Sequence, residues 1–238
     1  MSTDNSTPLR DHPSQPSSTR PDDLAYISPM AAFLALTWAG GQWPAFFAAS
    51  YYIKTILAAA LLLYFRKRYT AISWRYWQLG LLVGVIGIVQ WVGMEKLLLH
   101  FWPHYPRPSF EIFDPRQHFS SPTALWSFAI IRIADATLVV PFMEELFWRD
   151  YLWRSVPELL GSRKTLSVGD PDWRSVIIVS AAFASVHIQW MTAIVYGLMI
   201  AALLIRTRSL GACIIAHAVT NLLLGVYVEY TRTNWYFW

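Results

Sequence analysis

The sequence predicts an all-α protein, a polytopic transmembrane helix bundle of about seven spans, and three observations predict it. Of its 238 residues 55% are hydrophobic and only 14% charged, whereas a soluble domain carries roughly 25% charged residues. Mean hydropathy is +0.34, and the apolar residues gather into runs near the ~20 residues that cross a bilayer. Thirteen Trp and twelve Tyr suit the membrane–water interface. This composition excludes a disordered or disulfide-rich chain and argues against a water-soluble globule. At ~150 residues per domain the length excludes a large multidomain enzyme.

Along the chain, residues 1–25 are Ser, Thr, Pro, Asp and Asn with almost nothing apolar, and read as a disordered cytoplasmic tail. They hold no basic segment followed by an apolar core, so no cleavable signal peptide is expected. Residues 26–238 form the helical domain, with apolar runs at 28–46, 48–65, 77–94, 123–148, 174–189, 190–205 and 210–228. The second run carries Lys54, which either snorkels or faces the bundle. Gly80, Gly84 and Gly87 in the third make a small-residue stripe for close helix packing. Cys213 is the single cysteine, forms no internal disulfide, and reads as a small packing residue.

Basic residues orient these runs. Arg66, Lys67 and Arg68 follow the second, Arg149, Arg154, Arg163 and Lys164 the fourth, and Arg206 with Arg208 the sixth. Alternate crossings put all three clusters on one side, which the positive-inside rule makes cytoplasmic. The N-terminus is then cytoplasmic, the C-terminus lies outside, and 95–121 is an outer loop with interfacial aromatics. The positive excess is therefore read as topology, and no nucleic-acid partner is expected.

Ionisable side chains at membrane depth are functional candidates. Arg132 and Asp135, three apart on one helical face, are read as neutralising each other. Glu144 and Glu145 diverge by about 100° around the helix, and Arg149 shares the face of Glu145. An ion pair there leaves Glu144 less compensated, as a general base for water requires. A Glu–Arg pair capping a helix end would look the same in isolation. His187, four residues after Phe183, and His217, four before Asn221, are the two histidines inside apolar runs. An imidazole and an amide on one face form a donor pair suited to a developing oxyanion. No G-x-S-x-G serine is present, so the inventory fits direct attack by activated water.

Three spaced motifs then make the chain resemble the CAAX protease and bacteriocin-processing membrane proteins, similar to the Ras-converting type of endopeptidase. E-E-x-x-x-R matches Glu144 to Arg149, F-x-x-x-H matches Phe183 to His187, and H-x-x-x-N matches His217 to Asn221. The E-E-L-F-W-R segment further resembles a CAAX prenyl protease-related subgroup associated with exosortase systems. The resemblance implies an intramembrane endopeptidase acting on a membrane-associated protein or peptide, in the bacterial inner membrane, with its cavity open to the cytoplasm. It implies that Glu144 and His187 activate water, that His217 and Asn221 form the oxyanion pocket, and that Glu145 and Arg149 support them. Asp150 departs from the glycine common in the family. A metal-free site is expected, with zinc on Glu144, His187 and His217 as the alternative, although H-E-x-x-H is absent.

Two other readings remain at this stage. One is a non-catalytic peptide-binding or bacteriocin-immunity protein with the same cavity. The other is a transporter relaying ions through Glu144, Glu145 and Arg132, disfavoured by the lack of a repeated half. One geometric tension also stands. His187 lies ~20 Å along its run from Arg174, while Glu144 lies ~7.5 Å from Arg149, so the two meet only if the fifth helix starts outside the bilayer, the helices tilt, or these boundaries are displaced, of which displaced boundaries are expected.

Overall fold

The structure, a computed structural model, describes residues 22–105 and 114–232. Eight helices make a bundle: α1 Asp23–Gln42, α2 Phe47–Tyr64, α3 Trp77–Phe101, α4 Pro115–His118, α5 Pro122–Leu159, α6 Trp173–Ser185, α7 Trp190–Thr207 and α8 Leu210–Thr231. Six of them are long and apolar enough to cross a membrane, and α4 and α6 are not. The all-α bundle is as the sequence predicts. The tail reading falls on residues 1–21, outside the described residues, and α1 already begins at Asp23, capped by the Asp22 side chain. Phe110 of the expected outer loop is likewise outside them.

Side-chain contacts collect the basic segments at one end. Arg68 meets Asp22 at 2.8 Å, Arg208 meets Asp170 at 3.6 Å, and Ser209 Oγ donates to Ser73 and Arg75 carbonyls at 2.7 Å. The Arg68 guanidinium holds the Asp22 carboxyl below its ordinary value. Arg116 and Glu229 meet at the other end, 3.4 Å apart. The basic segments 66–68, 163–164 and 206–208 thus share one end, whereas Arg149 lies ~15 Å inside α5; α6 has 13 residues where the sequence suggested a span over 174–189. At about 1.5 Å per residue α6 reaches ~20 Å into the bundle; the chain turns at Val186–Gln189 and α7 returns.

The fourth run departs most from expectation. Instead of ending at Trp148, α5 continues to Leu159 over 38 residues. Glu144 is then 15 residues from the basic end of α5, ~22 Å, and His187 is 14 residues from the start of α6, ~21 Å. The depth mismatch disappears. Charges past Trp148 stop the hydropathy signal but not the helix, because they are paired inside. Asp150, fully buried, accepts from the Tyr26 hydroxyl at 2.7 Å and pairs with Arg154.

Helices α3 and α8 run parallel and cross at the glycine stripe. A Cβ on Gly84 would stand 2.7 Å from the Ala216 carbonyl oxygen and from Val219 Cβ, and one on Gly80 would stand 2.6 Å from the Ala212 oxygen. Backbones in lipid approach this closely where side chains are absent. Cys213 is fully buried in the same core. We expect Gly84→Leu to lower the thermal unfolding midpoint in detergent by several degrees. Gly93→Ala, whose added Cβ meets nothing within 4 Å, should leave it unchanged or slightly raised, since Ala favours helix over Gly by about 1 kcal/mol.

Candidate active site

Two π-helical stretches, Asp135–Val139 and Leu146–Leu152, flank the α-helical segment Val140–Glu145 of α5. A π-turn pairs each carbonyl with the N–H five residues on, and Asp135 does pair with Val140. The partner of Ala136 would be residue 141, which is proline and has no N–H. The amide of Asn221 on α8 fills this gap, donating Nδ2–H to the Ala136 oxygen at 2.8 Å. One N–H and the oxygen of Asn221 remain for other partners. The bulge and the amide thereby fix α5 against α8.

The paired glutamates separate into different environments. Glu145 is fully buried; its Oε1 lies 2.8 Å from His217 Nδ1 and its Oε2 lies 3.3 Å from Arg149 Nε. Arg149 is also buried, with its guanidinium carbon 4.6 Å from the Phe183 ring centroid on α6. Glu144 is 7% exposed, and its Oε2 has no hydrogen-bond partner. The arrangement follows the sequence reading, with one addition: Glu145 holds His217 as well as Arg149.

The histidines are oriented by what they touch. Nδ1 of His187 lies 2.7 Å from the Phe183 carbonyl oxygen. A carbonyl accepts and cannot donate, so the proton sits on Nδ1 and the lone pair of Nε2 is free. The carboxylate behind His217 accepts a hydrogen bond from Nδ1–H and leaves Nε2 facing the cavity. Phe183, noticed in the sequence only for its spacing, therefore has two roles: its ring carries Arg149 and its carbonyl sets the His187 tautomer.

Glu144, His187, His217 and Asn221 line one cavity of about 250 Å³. Glu145 and Arg149 stand behind its wall. The cavity extends from Glu144 toward Thr37, Lys54, Arg132 and Asp135, away from the basic end. On the basic side Ala25, Tyr26, Phe65, Leu146, Leu210 and Ile214 pack together, beside a second cavity of about 550 Å³ lined by Arg66, Tyr69, Ile72, Trp74, Phe142 and Leu146. Lys54 faces the bundle, and among the described residues Asp135 forms no ion pair within 4 Å with Arg132, against the expected neutralisation.

Among the described residues no three His, Cys, Asp or Glu side chains come together as a metal site requires. The group Glu144, His187 and His217 does not fit zinc here, and no step below passes through it.

The family model described as Rce1-like, type II CAAX prenyl endopeptidase Rce1-like, matches residues 125–223. That stretch contains all six site residues. Residues 125–223 are thus similar to that family. Searches of curated proteins and of solved structures returned no match. Within residues 125–223 the two glutamates are separable by experiment. Removing one partner of a buried ion pair costs about 3–5 kcal/mol. Glu145→Ala should therefore abolish the monodisperse folded peak in size-exclusion chromatography. Glu144→Gln should elute as the wild type does.

Proposed function

We propose that this protein is an intramembrane endopeptidase that hydrolyses a peptide bond of a membrane-associated protein or peptide by glutamate-activated water. The observation that carries this reading is the division of labour between Glu144 and Glu145: Glu145 is held between His217 and Arg149, and Glu144 lines the cavity with no ion pair of 4 Å or less among the described residues. A carboxylate facing the cavity beside the free Nε2 of His187 is placed to take a proton from water, as general-base work requires.

In the proposed reaction a water between Glu144 and His187 gives its proton to the Glu144 carboxylate while its oxygen attacks the scissile carbonyl carbon. The C=O electron pair moves to oxygen. His217, whose charge Glu145 balances, donates from Nε2 to that oxyanion, and the remaining N–H of Asn221 donates beside it. The tetrahedral intermediate collapses, the C–N bond breaks, and Glu144 passes the proton to the departing amine. Water is consumed, and a carboxyl and an amine are produced. His187, with Nδ1–H fixed on the Phe183 carbonyl, orients the water through Nε2.

The proposed setting is an integral protein of the bacterial inner membrane, with its N-terminus and basic loops cytoplasmic by the positive-inside rule. The expected exosortase association rests on the E-E-L-F-W-R segment alone.

Cleavage of a panel of membrane-anchored peptides by purified protein tests the reading. Glu144→Gln and His187→Ala should each lower kcat/KM at least about 10²-fold, the scale of lost acid–base catalysis, with folding retained. Wild-type rates in both variants would overturn the roles given to Glu144 and His187, and no cleavage of any peptide by the wild type would favour a binding protein. Activity should also survive a strong chelator; activity lost together with stoichiometric zinc would overturn the metal-free mechanism.

A further inference from the structure

The second cavity, of about 550 Å³, opens sideways between α2 and α5 and takes no part in the proposed reaction. Tyr51 and Tyr52 of α2 pack against Phe128 of α5, with ring centroids 5.4 and 6.4 Å apart, and join the helices at the end away from the basic segments. Toward the basic end the connection from α2 to α3 enters the gap, its Trp74 ring 6.0 Å from that of Phe142. Ser209 Oγ pins this connection through the Ser73 and Arg75 carbonyls. Leu63 and Leu138, on the two sides of the cavity, are 63% and 64% exposed. Exposed leucines on spanning helices face lipid, so the cavity opens to the hydrocarbon layer.

The walls and the rim together define a ligand. Leu62, Ile72, Phe142 and Leu146 give a surface on which water finds few partners. The polar groups that reach it are already engaged: the Tyr69 hydroxyl donates to the Ala25 carbonyl at 3.0 Å, and Thr70 Oγ1 accepts from Arg154 at 3.1 Å. Hydrocarbon fills such a space, and its volume is that of a ligand pocket, roughly 300–1,000 Å³. Arg66 also lines the cavity, just past the end of α2, at the level where phosphate headgroups lie. One of its N–H groups donates to the Leu63 carbonyl at 3.0 Å, and it forms no ion pair among the described residues. Its remaining N–H donors suit a phosphate. The neighbouring Arg68 is held by Asp22, and Lys67 is not among the lining residues.

We propose that this cavity binds an acyl chain of an anionic glycerophospholipid from the leaflet at the basic end, with the lipid phosphate on Arg66. The chain packs against Leu138, Phe142 and Leu146, which are four residues apart along the part of α5 that carries Glu144 and Glu145. The lipid thus completes the wall between α2 and α5, and its binding does not depend on peptide hydrolysis.

Native mass spectrometry of the full chain in detergent tests this. The probes are phosphatidylglycerol, phosphatidylcholine and diacylglycerol with identical acyl chains. The wild type should bind phosphatidylglycerol at least about fivefold tighter than either of the others, the scale of one cation near an anionic headgroup. Arg66→Gln should remove that preference, and Lys67→Gln, one residue on but outside the cavity, should retain it. Ala59→Trp, which fills the cavity from α2, should abolish binding of all three lipids. Equal binding of the three by the wild type, or binding of none, would overturn the proposal. So would a preference that survives Arg66→Gln, or one that Lys67→Gln removes equally, since diffuse surface charge then accounts for it. Undiminished binding by folded Ala59→Trp would place the lipid elsewhere and overturn the proposal as well. If Ala59→Trp does not fold, the comparison of Arg66→Gln with Lys67→Gln decides.

Discussion

One buried carboxylate organises the functional half of this bundle. Glu145 receives His217 from α8 on one oxygen and Arg149 from its own helix on the other. Arg149 in turn lies over the ring of Phe183 on α6, and the carbonyl of Phe183 holds His187. Three helices are thus registered through a single charge. In a low-dielectric interior an ion is tolerated only with such partners. The same requirement that stabilises Glu145 therefore aims both histidines at the cavity.

The second constraint is the backbone itself. Every carbonyl at membrane depth must find a donor within the protein, and the π-turn before Pro141 leaves Ala136 without one. Asn221 answers from α8. A residue that looks purely chemical in the sequence is also structural, and the proline that disturbs α5 fixes where the amide must stand. The π-stretches on either side present Glu144 to the cavity while Glu145 points into the packed interior.

Much of the site was legible in the sequence because its signals are local. Ionisable residues stand out against apolar runs, and i, i+4 spacing pairs Glu145 with Arg149 and His217 with Asn221 on common faces. The glycine stripe, read as packing, does pack against α8. The depth of α5 was not legible, since hydropathy counts Arg149, Asp150 and Arg154 as the end of a span. Their partners Tyr26 and Glu145 lie elsewhere in the chain or behind the helix, and pairing lets the helix continue. For the same reason Arg132 and Asp135, three apart, suggested a self-sufficient pair, whereas Lys54 and Tyr51 from α2 share their environment.

By itself, then, the sequence determined an all-α membrane bundle, the common end of its basic segments and the six residues of the three motifs. Those depend on composition and on spacing within one helix. Only the tertiary structure decided that Glu144 and His187 lie at one depth, that Glu145 holds His217, and that the cavity runs from the paired glutamates toward Lys54. Those depend on helix ends and inter-helix partners, which follow from how charges and carbonyls are satisfied across the bundle and not from any single run of residues.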